Sequence, residues 1–198
     1  MKVLQAKMMV KVIKLIVGLG NPGQRYEKNR HNAGFLFLDR LLEGCGQSWA
    51  NEPKFHGLVA NSIFHSKKVA LLKPQTFMNR SGLSVAAFSR FYKINIDQIL
   101  VVHDEIDLEV GAVKLKNGGG HAGHNGLRDI IASLGGKGFY RLRLGVGRPE
   151  LGKQVADFVL SNPSAAEREV LFSTFSNVES EIATIISGDF SLAMNNLH

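Results

Sequence analysis

The chain has little cysteine and no long apolar run. Its 198 residues include one cysteine, Cys45, which excludes an internal disulfide and argues against a secreted scaffold held by disulfides. We expect Cys45 to be a core or loop thiol. No window of about 18 apolar residues exists, so no membrane-spanning helix is predicted. Lysines at positions 2, 7, 11 and 14 interrupt any signal-peptide core. These features predict a protein of the reducing cytoplasm.

Acidic residues are fewer than basic ones. The chain has 17 Asp and Glu against 24 Lys and Arg, which gives a formal net charge of +7. Such an excess attracts polyanions and favours a nucleic acid as partner, but a generally basic enzyme would have the same composition. Charge alone leaves both possibilities open.

Repeats, linkers and low-complexity tracts are also missing, and strand-like segments alternate with helix-like ones. Strands are predicted over residues 12–18, 58–64, 68–72, 99–103, 113–115 and 140–146. Helices are predicted over residues 31–42, 81–92, 127–134, 164–186 (one or two helices) and 190–197. In the second helix the apolar face is assigned to Leu83, Ala87, Phe88 and Phe91.

This alternation is typical of an α/β fold, and the close strand pair within residues 58–72 indicates a hairpin. We therefore expect a single domain over residues 12–198, a twisted mixed β-sheet flanked by helices on both faces. Residues 1–11 are interpreted as an N-terminal extension.

A glycine motif follows the first predicted strand. Residues 18–23 read GLGNPG, which matches the G-x-G-x-x-G of dinucleotide-binding folds. That fold opens a helix inside the motif, whereas Pro22 lacks an amide hydrogen and the next residues carry no apolar stripe. We favour a loop that exposes Asn21 at the carboxyl edge of the sheet, with a nucleotide site as the alternative.

Two histidine-containing segments suggest hydrolytic chemistry. His31 lies at the start of a predicted helix, and Asp104 lies at the end of a buried strand. Strand ends at one sheet edge are close together, so Asp104 could accept the Nδ1 hydrogen of His31 and direct its other nitrogen toward water. Taken alone, His31 could instead serve a structural role.

Three asparagines lie at the edges of predicted elements. They are Asn21 in a turn, Asn79 ahead of the second helix and Asn125 ahead of the third. For each of them helix capping or turn formation is the simpler interpretation. Together they suggest amides that bind a peptide group or an oxyanion.

Basic residues alternate along two short strands. Lys114 and Lys116 share one face of the first, and Arg141 and Arg143 share one face of the second. They are either solvated surface or, with the glycines at positions 118–120, a phosphate clamp.

A metal site is conceivable from the H-x-x-H pair His121 and His124 with His103 and Asp104 nearby. The chain has no H-E-x-x-H and no second cysteine, and a glycine-rich loop is a poor rigid frame for a metal. We expect no metal and no cofactor.

Four segments in order make the chain recognisable. They are residues 15–35 (LIVGLGNPG, then HNAGF), 73–82 (KPQTFMN, then SG), 103–127 (HDE through GGGH and GHNGL) and 141–149 (RLRLGVGRP). Together they resemble the motifs of bacterial-type peptidyl-tRNA hydrolases over roughly residues 15–160. The last 35 residues match only loosely.

The resemblance implies an ester hydrolase that frees peptide and tRNA from peptidyl-tRNA. His31 would be the general base, Asp104 would orient it, and Asn21 would sense the acylated amino group. The implied substrate-binding residues are Tyr26, Phe77, Met78, Asn79 and Asn125 near the ester, and Lys116 and Arg143, with Lys114 and His124 in support, at the tRNA 5′-phosphate. It also implies a monomer whose partner is N-acylated tRNA. A non-catalytic RNA-binding protein remains the alternative.

Overall fold

Seven strands form one sheet in the computed structural model, which describes residues 12–198. The strands are β1 (Leu15–Gly18), β2 (Ala50–Glu52), β3 (Gly57–Phe64), β4 (Lys67–Pro74), β5 (Ile99–Glu105), β6 (Val113–Asn117) and β7 (Tyr140–Gly145). Their order across the sheet is β2-β3-β4-β1-β5-β7-β6.

The sheet is mixed, as predicted. Strand β1 runs parallel to β4 and β5, and β5 runs parallel to β7. Strands β3 and β4 form the expected antiparallel hairpin, and β2 and β6 are antiparallel edge strands. The carboxyl ends of β1, β4, β5 and β7 therefore lie at one edge, where α/β proteins place their sites.

Helices cover both faces, which confirms the predicted layering. They are α1 (Ala33–Glu43), α2 (Ser81–Phe91), α3 (Asn125–Leu134), α4 (Val155–Val159), α5 (Ala165–Ser187) and α6 (Phe190–Leu197). Apolar residues of α1, α5 and α6 form one core with the sheet, and those of α2 and α3 form a second core on the opposite face. None of the described helices is long and apolar enough to cross a membrane.

The buried face predicted for α2 is correct for Phe88 and for Ala87, which packs against the core, and wrong for the other two residues. Leu83 and Phe91 are 40% and 61% exposed, whereas the small residues Ser81 and Gly82 are buried. A Cβ at Gly82 would lie 2.4 Å from the carbonyl oxygen of Asp129, so α2 packs closely against α3 through residues that hydrophobic periodicity overlooks.

Two short elements were not predicted, and some boundaries moved. Strand β2 and helix α4 have three and five residues, too few for a recognisable period. Helix α1 begins two residues later than predicted because Arg30–Asn32 form a 3₁₀ turn. The proposed extension over residues 1–11 lies outside the described residues.

Candidate active site

Close backbone packing brings the turn before α1 against the carboxyl edge of the sheet. A Cβ at Gly34 would lie 2.3 Å from the carbonyl oxygen of Val102 and 2.4 Å from the nitrogen of Leu19, so only glycine fits there. The N–H of Phe35 donates to the oxygen of Leu19 at 3.2 Å. The start of α1 therefore lies directly on β1 and β5.

This packing places His31 beside Asp104, as the sequence predicted. Nδ1 of His31 lies 2.9 Å from each carboxylate oxygen of Asp104, and the two side chains are 12% and 3% exposed. Nε2 has no hydrogen-bond partner among residues 12–198. An N–H at Nδ1 that donates to Asp104 leaves the Nε2 lone pair free for a proton from water.

His124 is the second partner of Asp104. Its Nδ1 accepts from the N–H groups of Gly126 and Leu127 at 3.2 and 3.4 Å, so it caps α3. The lone pair on Nδ1 puts the ring proton on Nε2, which donates to Oδ1 of Asp104 at 3.0 Å. The structure thus places His124 against the aspartate and not with the basic strands.

The electrostatics of the pair favour a basic imidazole. Burial lowers the pKa of His31, but the charge and hydrogen bond of Asp104 raise it more, so the pKa lies above its ordinary value. Burial raises the pKa of Asp104, and the neighbouring His31 and His124 more than reverse this, so the pKa lies far below its usual range. Asp104 is therefore an anion at any pH at which His31 titrates.

A third histidine lies beneath the cluster. His103 is fully buried; its ring centroid is 5.0 Å from that of His124, and its Nδ1 donates to the carbonyl oxygen of Asp104 at 2.7 Å. Burial and the nearby His124 lower the pKa of His103 to about 3, so it is neutral. His103 is a packing partner of the cluster and does not reach its cavity.

One group of side chains could in principle hold a metal ion. Ligand atoms of His31, Asp104 and His124 lie within 4.8 Å of one another. The two imidazole nitrogens that face Asp104 both act as hydrogen-bond donors, so their lone pairs are not directed at a shared ion. The donor set fits mutual hydrogen bonding better than metal coordination.

Asn21 is held in place by two hydrogen-bonding partners. Its backbone N–H donates to Oδ1 of Asn32 at 2.8 Å, and its backbone C=O accepts from Nδ2 of Asn32 at 2.9 Å. Its side-chain Oδ1 accepts the N–H of Met78 at 2.7 Å. Within the described chain its Nδ2 has no partner, so it is a donor available to a ligand. The sequence analysis did not predict that Asn32 holds the Asn21 loop, because no sequence pattern indicates a side chain that hydrogen-bonds the backbone of a distant loop.

The other two asparagines do not cap helices by their side chains. Asn79 is exposed in the 3₁₀ turn Met78–Arg80, and Asn125 is the exposed first residue of α3. A Cβ at Gly126 would lie 2.5 Å from Sδ of Met78, so that turn packs against the start of α3. Neither side-chain amide has a hydrogen-bond partner within residues 12–198, so both are available to a substrate.

A cavity of about 380 Å³ opens beside His31. It is lined by His31, Asp104, Glu105, Ile106, His121, Ala122, Gly123, His124, Asn125, Val155, Ala156 and Val159. A pair of aromatic rings lies in the neighbouring loops: Tyr26 and the 56% exposed Phe77 pack edge to face at 6.4 Å between ring centroids. The cavity combines a base with apolar walls and an amide.

The basic residues lie on the paired strands β6 and β7. Lys114 is in register with Arg143, and Lys116 with Arg141. Arg141 is buried and donates to the oxygen of Gly120 at 2.8 Å, so it supports the glycine loop. Lys114 and Lys116 are exposed, and Arg143 is half-buried with its Nε 3.0 Å from Glu105.

The glycine motif does not form a nucleotide-binding turn. After β1 the chain makes a 3₁₀ turn at Gln24–Tyr26, and no α-helix begins before Ala33. The backbone amides of residues 18–23 are therefore not at a helix N-terminus, which a bound pyrophosphate requires.

Comparison with known proteins agrees with this geometry. Residues 15–198 match the family model described as peptidyl-tRNA hydrolase. The peptidyl-tRNA hydrolase of Methylococcus capsulatus is 50% identical over 187 residues, which cover 94% of this chain and 100% of that protein. The one from Bordetella avium is 51% identical over 189 residues, covering 94% of this chain and 91% of that protein.

Solved structures give the same result. The crystal structure of peptidyl-tRNA hydrolase from Acinetobacter baumannii superimposes with a TM-score of 0.91 at 43% identity, covering 95% of each chain. Both the fold and the sequence of this chain are therefore similar to peptidyl-tRNA hydrolases over nearly its whole length.

Proposed function

The chain belongs to the peptidyl-tRNA hydrolase family, and from this premise we propose that it hydrolyses the ester between a peptide and the terminal ribose of tRNA, with His31 as general base. The observation that carries the proposal is the hydrogen bond from His31 Nδ1 to buried Asp104, with Nε2 left free. This activity would recycle tRNA from stalled or aborted translation.

The proposed reaction needs no covalent enzyme intermediate. Nε2 of His31 takes a proton from water while the water oxygen bonds to the ester carbonyl carbon. The tetrahedral intermediate then expels the ribose oxygen, which receives that proton from the imidazolium. The Asp104 anion stabilises the imidazolium in between, and free amides such as that of Asn125 stabilise the oxyanion.

Asn21 would distinguish acylated from free amino groups. Its Oδ1 is occupied by the N–H of Met78, so the free Nδ2 is a donor that suits the carbonyl oxygen of an N-acyl group. An ordinary aminoacyl-tRNA has no such carbonyl and carries a charged amine instead.

Replacing Asn21 with aspartate should reduce this discrimination. The variant keeps an oxygen for the Met78 N–H, replaces the donor with an acceptor and adds a negative charge, which would favour the charged amine of an ordinary aminoacyl-tRNA. We expect kcat/KM for N-acetyl-aminoacyl-tRNA to fall about 10- to 100-fold, since an unpaired polar contact costs about 1–3 kcal/mol. Parallel assays with aminoacyl-tRNA measure the preference, and an unchanged ratio contradicts the role of Asn21.

Lys116 and Arg143, with Lys114, are proposed to bind a tRNA phosphate. Two exposed lysines face the same solvent as the half-buried guanidinium on paired strands, and the net charge is +7. Phosphate contacts release counterions, so affinity should fall with salt. His124 is held by Asp104 and would act on the ester side of the substrate.

Lys116→Ala should raise KM and reduce the slope of log KM against log salt by about one, while kcat stays close to wild type. Lys68→Ala is the matched control, because Lys68 is exposed at the start of β4, at the amino edge of the parallel strands. Equal salt slopes for the wild type and Lys116→Ala would exclude the clamp.

Incubation with N-acetyl-aminoacyl-tRNA in the presence of a chelator tests the proposed function. Release of N-acetyl amino acid is expected, whereas a non-catalytic RNA-binding protein would bind the substrate and leave the ester intact. We further propose that the enzyme acts in the cytoplasm, where its tRNA substrate arises. We also propose that it acts as a monomer, because His31, Asp104 and the cavity beside them are complete within a single copy of the chain.

A further inference from the structure

Arg30 precedes the proposed base directly and is almost completely buried, with 8% of its surface exposed. Its backbone N–H donates to the oxygen of Ser161 at 3.1 Å. Its Nη1 donates to Oγ of Ser161 at 2.7 Å and to the oxygen of Asn162 at 3.0 Å, and its Nη2 contacts both carboxylate oxygens of Glu167 at 2.9 and 3.1 Å. One side chain therefore ties the His31 turn to the segment that joins α4 and α5.

The same guanidinium packs against α4. Its carbon lies 4.3 Å from the ring centroid of Phe158. Phe158 belongs to a helix of five residues, which is too short to be stable by itself. Val155 and Val159 of that helix line the cavity beside His31. The position of this cavity wall therefore depends on the contacts of Arg30, which we call its anchor.

Glu167 is oriented independently of Arg30. Its Oε2 accepts the N–H of Ser164 at 2.6 Å and its N–H donates to Oγ of Ser164 at 3.2 Å, which is the capping box of α5. The carboxylate that receives Arg30 is thus fixed on a helix of 23 residues. The anchor joins α4 to two rigid elements, α1 and α5.

We propose that Arg30 is a positioning residue that holds α4 as the wall of the substrate cavity. The proposal rests on the proposed hydrolase function. Arg30 does not line the cavity, whereas α4 lines it with the apolar side chains of Val155, Ala156 and Val159. Apolar walls of this kind would contact a substrate to the same extent in the ground state and in the transition state. Loss of the wall therefore raises KM and leaves kcat close to wild type.

Arg40 offers a matched control. Its Nε contacts both carboxylate oxygens of Glu179 at 3.0 Å, and it donates to the oxygen of Phe172 at 3.2 Å and to Oγ of Ser176 at 2.7 Å. It is likewise an arginine that fastens α1 to α5, but it makes no contact with α4 or the cavity. If the arginines only stabilise the fold, replacing either one should change KM to the same extent.

Arg30→Met and Arg40→Met should be compared with wild type on N-acetyl-aminoacyl-tRNA. We expect Arg30→Met to raise KM about tenfold or more, the change produced by losing one or two apolar contacts, with kcat and the pH profile nearly unchanged. Amide exchange of residues 155–161 should be faster in this variant and normal in Arg40→Met. An unchanged KM, or equal changes in both variants, overturns the proposal.

Two further variants keep the test decisive. Arg30→Lys keeps the charge but loses the planar guanidinium, so its KM should lie between the values of wild type and Arg30→Met. If Arg30→Met does not fold, Glu167→Gln removes the paired charge and keeps an acceptor for Ser164; a wild-type KM there overturns the proposal. If wild type fails to cleave the substrate, the hydrolase function fails, whereas amide exchange still tests the anchor.

Discussion

Replacing His31 with alanine is expected to lower kcat by about 10²- to 10⁴-fold, the usual contribution of a general base. The variant loses the imidazole that Asp104 orients and whose Nε2 faces the cavity without a partner among the described residues. The basic strands remain intact, so the Kd for tRNA should stay near that of wild type. Release of N-acetyl amino acid under saturating substrate, with tRNA binding measured separately, gives both quantities.

The matched control for this variant is His65→Asn. His65 is exposed in the turn between β3 and β4 with φ of 45°, a conformation that asparagine accepts readily. Its turnover should equal that of wild type. Normal turnover by His31→Ala would remove the proposed mechanism, and a parallel loss of tRNA affinity would show that His31 acts in binding.

The sequence predicted the sheet and the central pair of the site for a clear physical reason. Buried strands show as apolar runs, and parallel strands end at a common edge. The loop after β1 and the end of β5 therefore share one edge of the sheet, where their side chains could meet. His31 and Asp104 were predicted on that basis, and the structure places them in hydrogen-bond contact.

Features that depend on tertiary contacts were not predictable. Helix α4 is too short to have a period, and its anchor Arg30 lies 131 positions from Ser161. His124 was noted for its H-x-x-H spacing and as support at the tRNA phosphate, but not as a partner of Asp104, because that bond depends on the path of the glycine loop. Pairings of this kind appear in no local pattern of a single sequence.

Replacing Asp104 with asparagine should lower kcat by about 10²- to 10⁴-fold, as loss of the orienting carboxylate does in serine proteases. Asp104 receives N–H groups from both His31 and His124, but an asparagine has one acceptor oxygen. If that oxygen faces His124, the amide nitrogen faces His31 Nδ1 and forces the proton onto Nε2. The base then presents an N–H to water and cannot accept a proton.

The residual activity of Asp104→Asn should also have a different pH dependence. The base works only when neutral, and Asp104 raises the pKa of His31 against the effect of burial, so wild-type kcat/KM falls as pH drops through a pKa above 6.5. When the negative charge of Asp104 is removed, burial lowers the pKa of His31. The acidic limb of kcat/KM should therefore move to lower pH. Asp107→Asn, at an exposed ion pair with Arg148, should leave the limb in place. An acidic limb unchanged in Asp104→Asn would mean that another group, and not the His31 and Asp104 pair, titrates in the reaction.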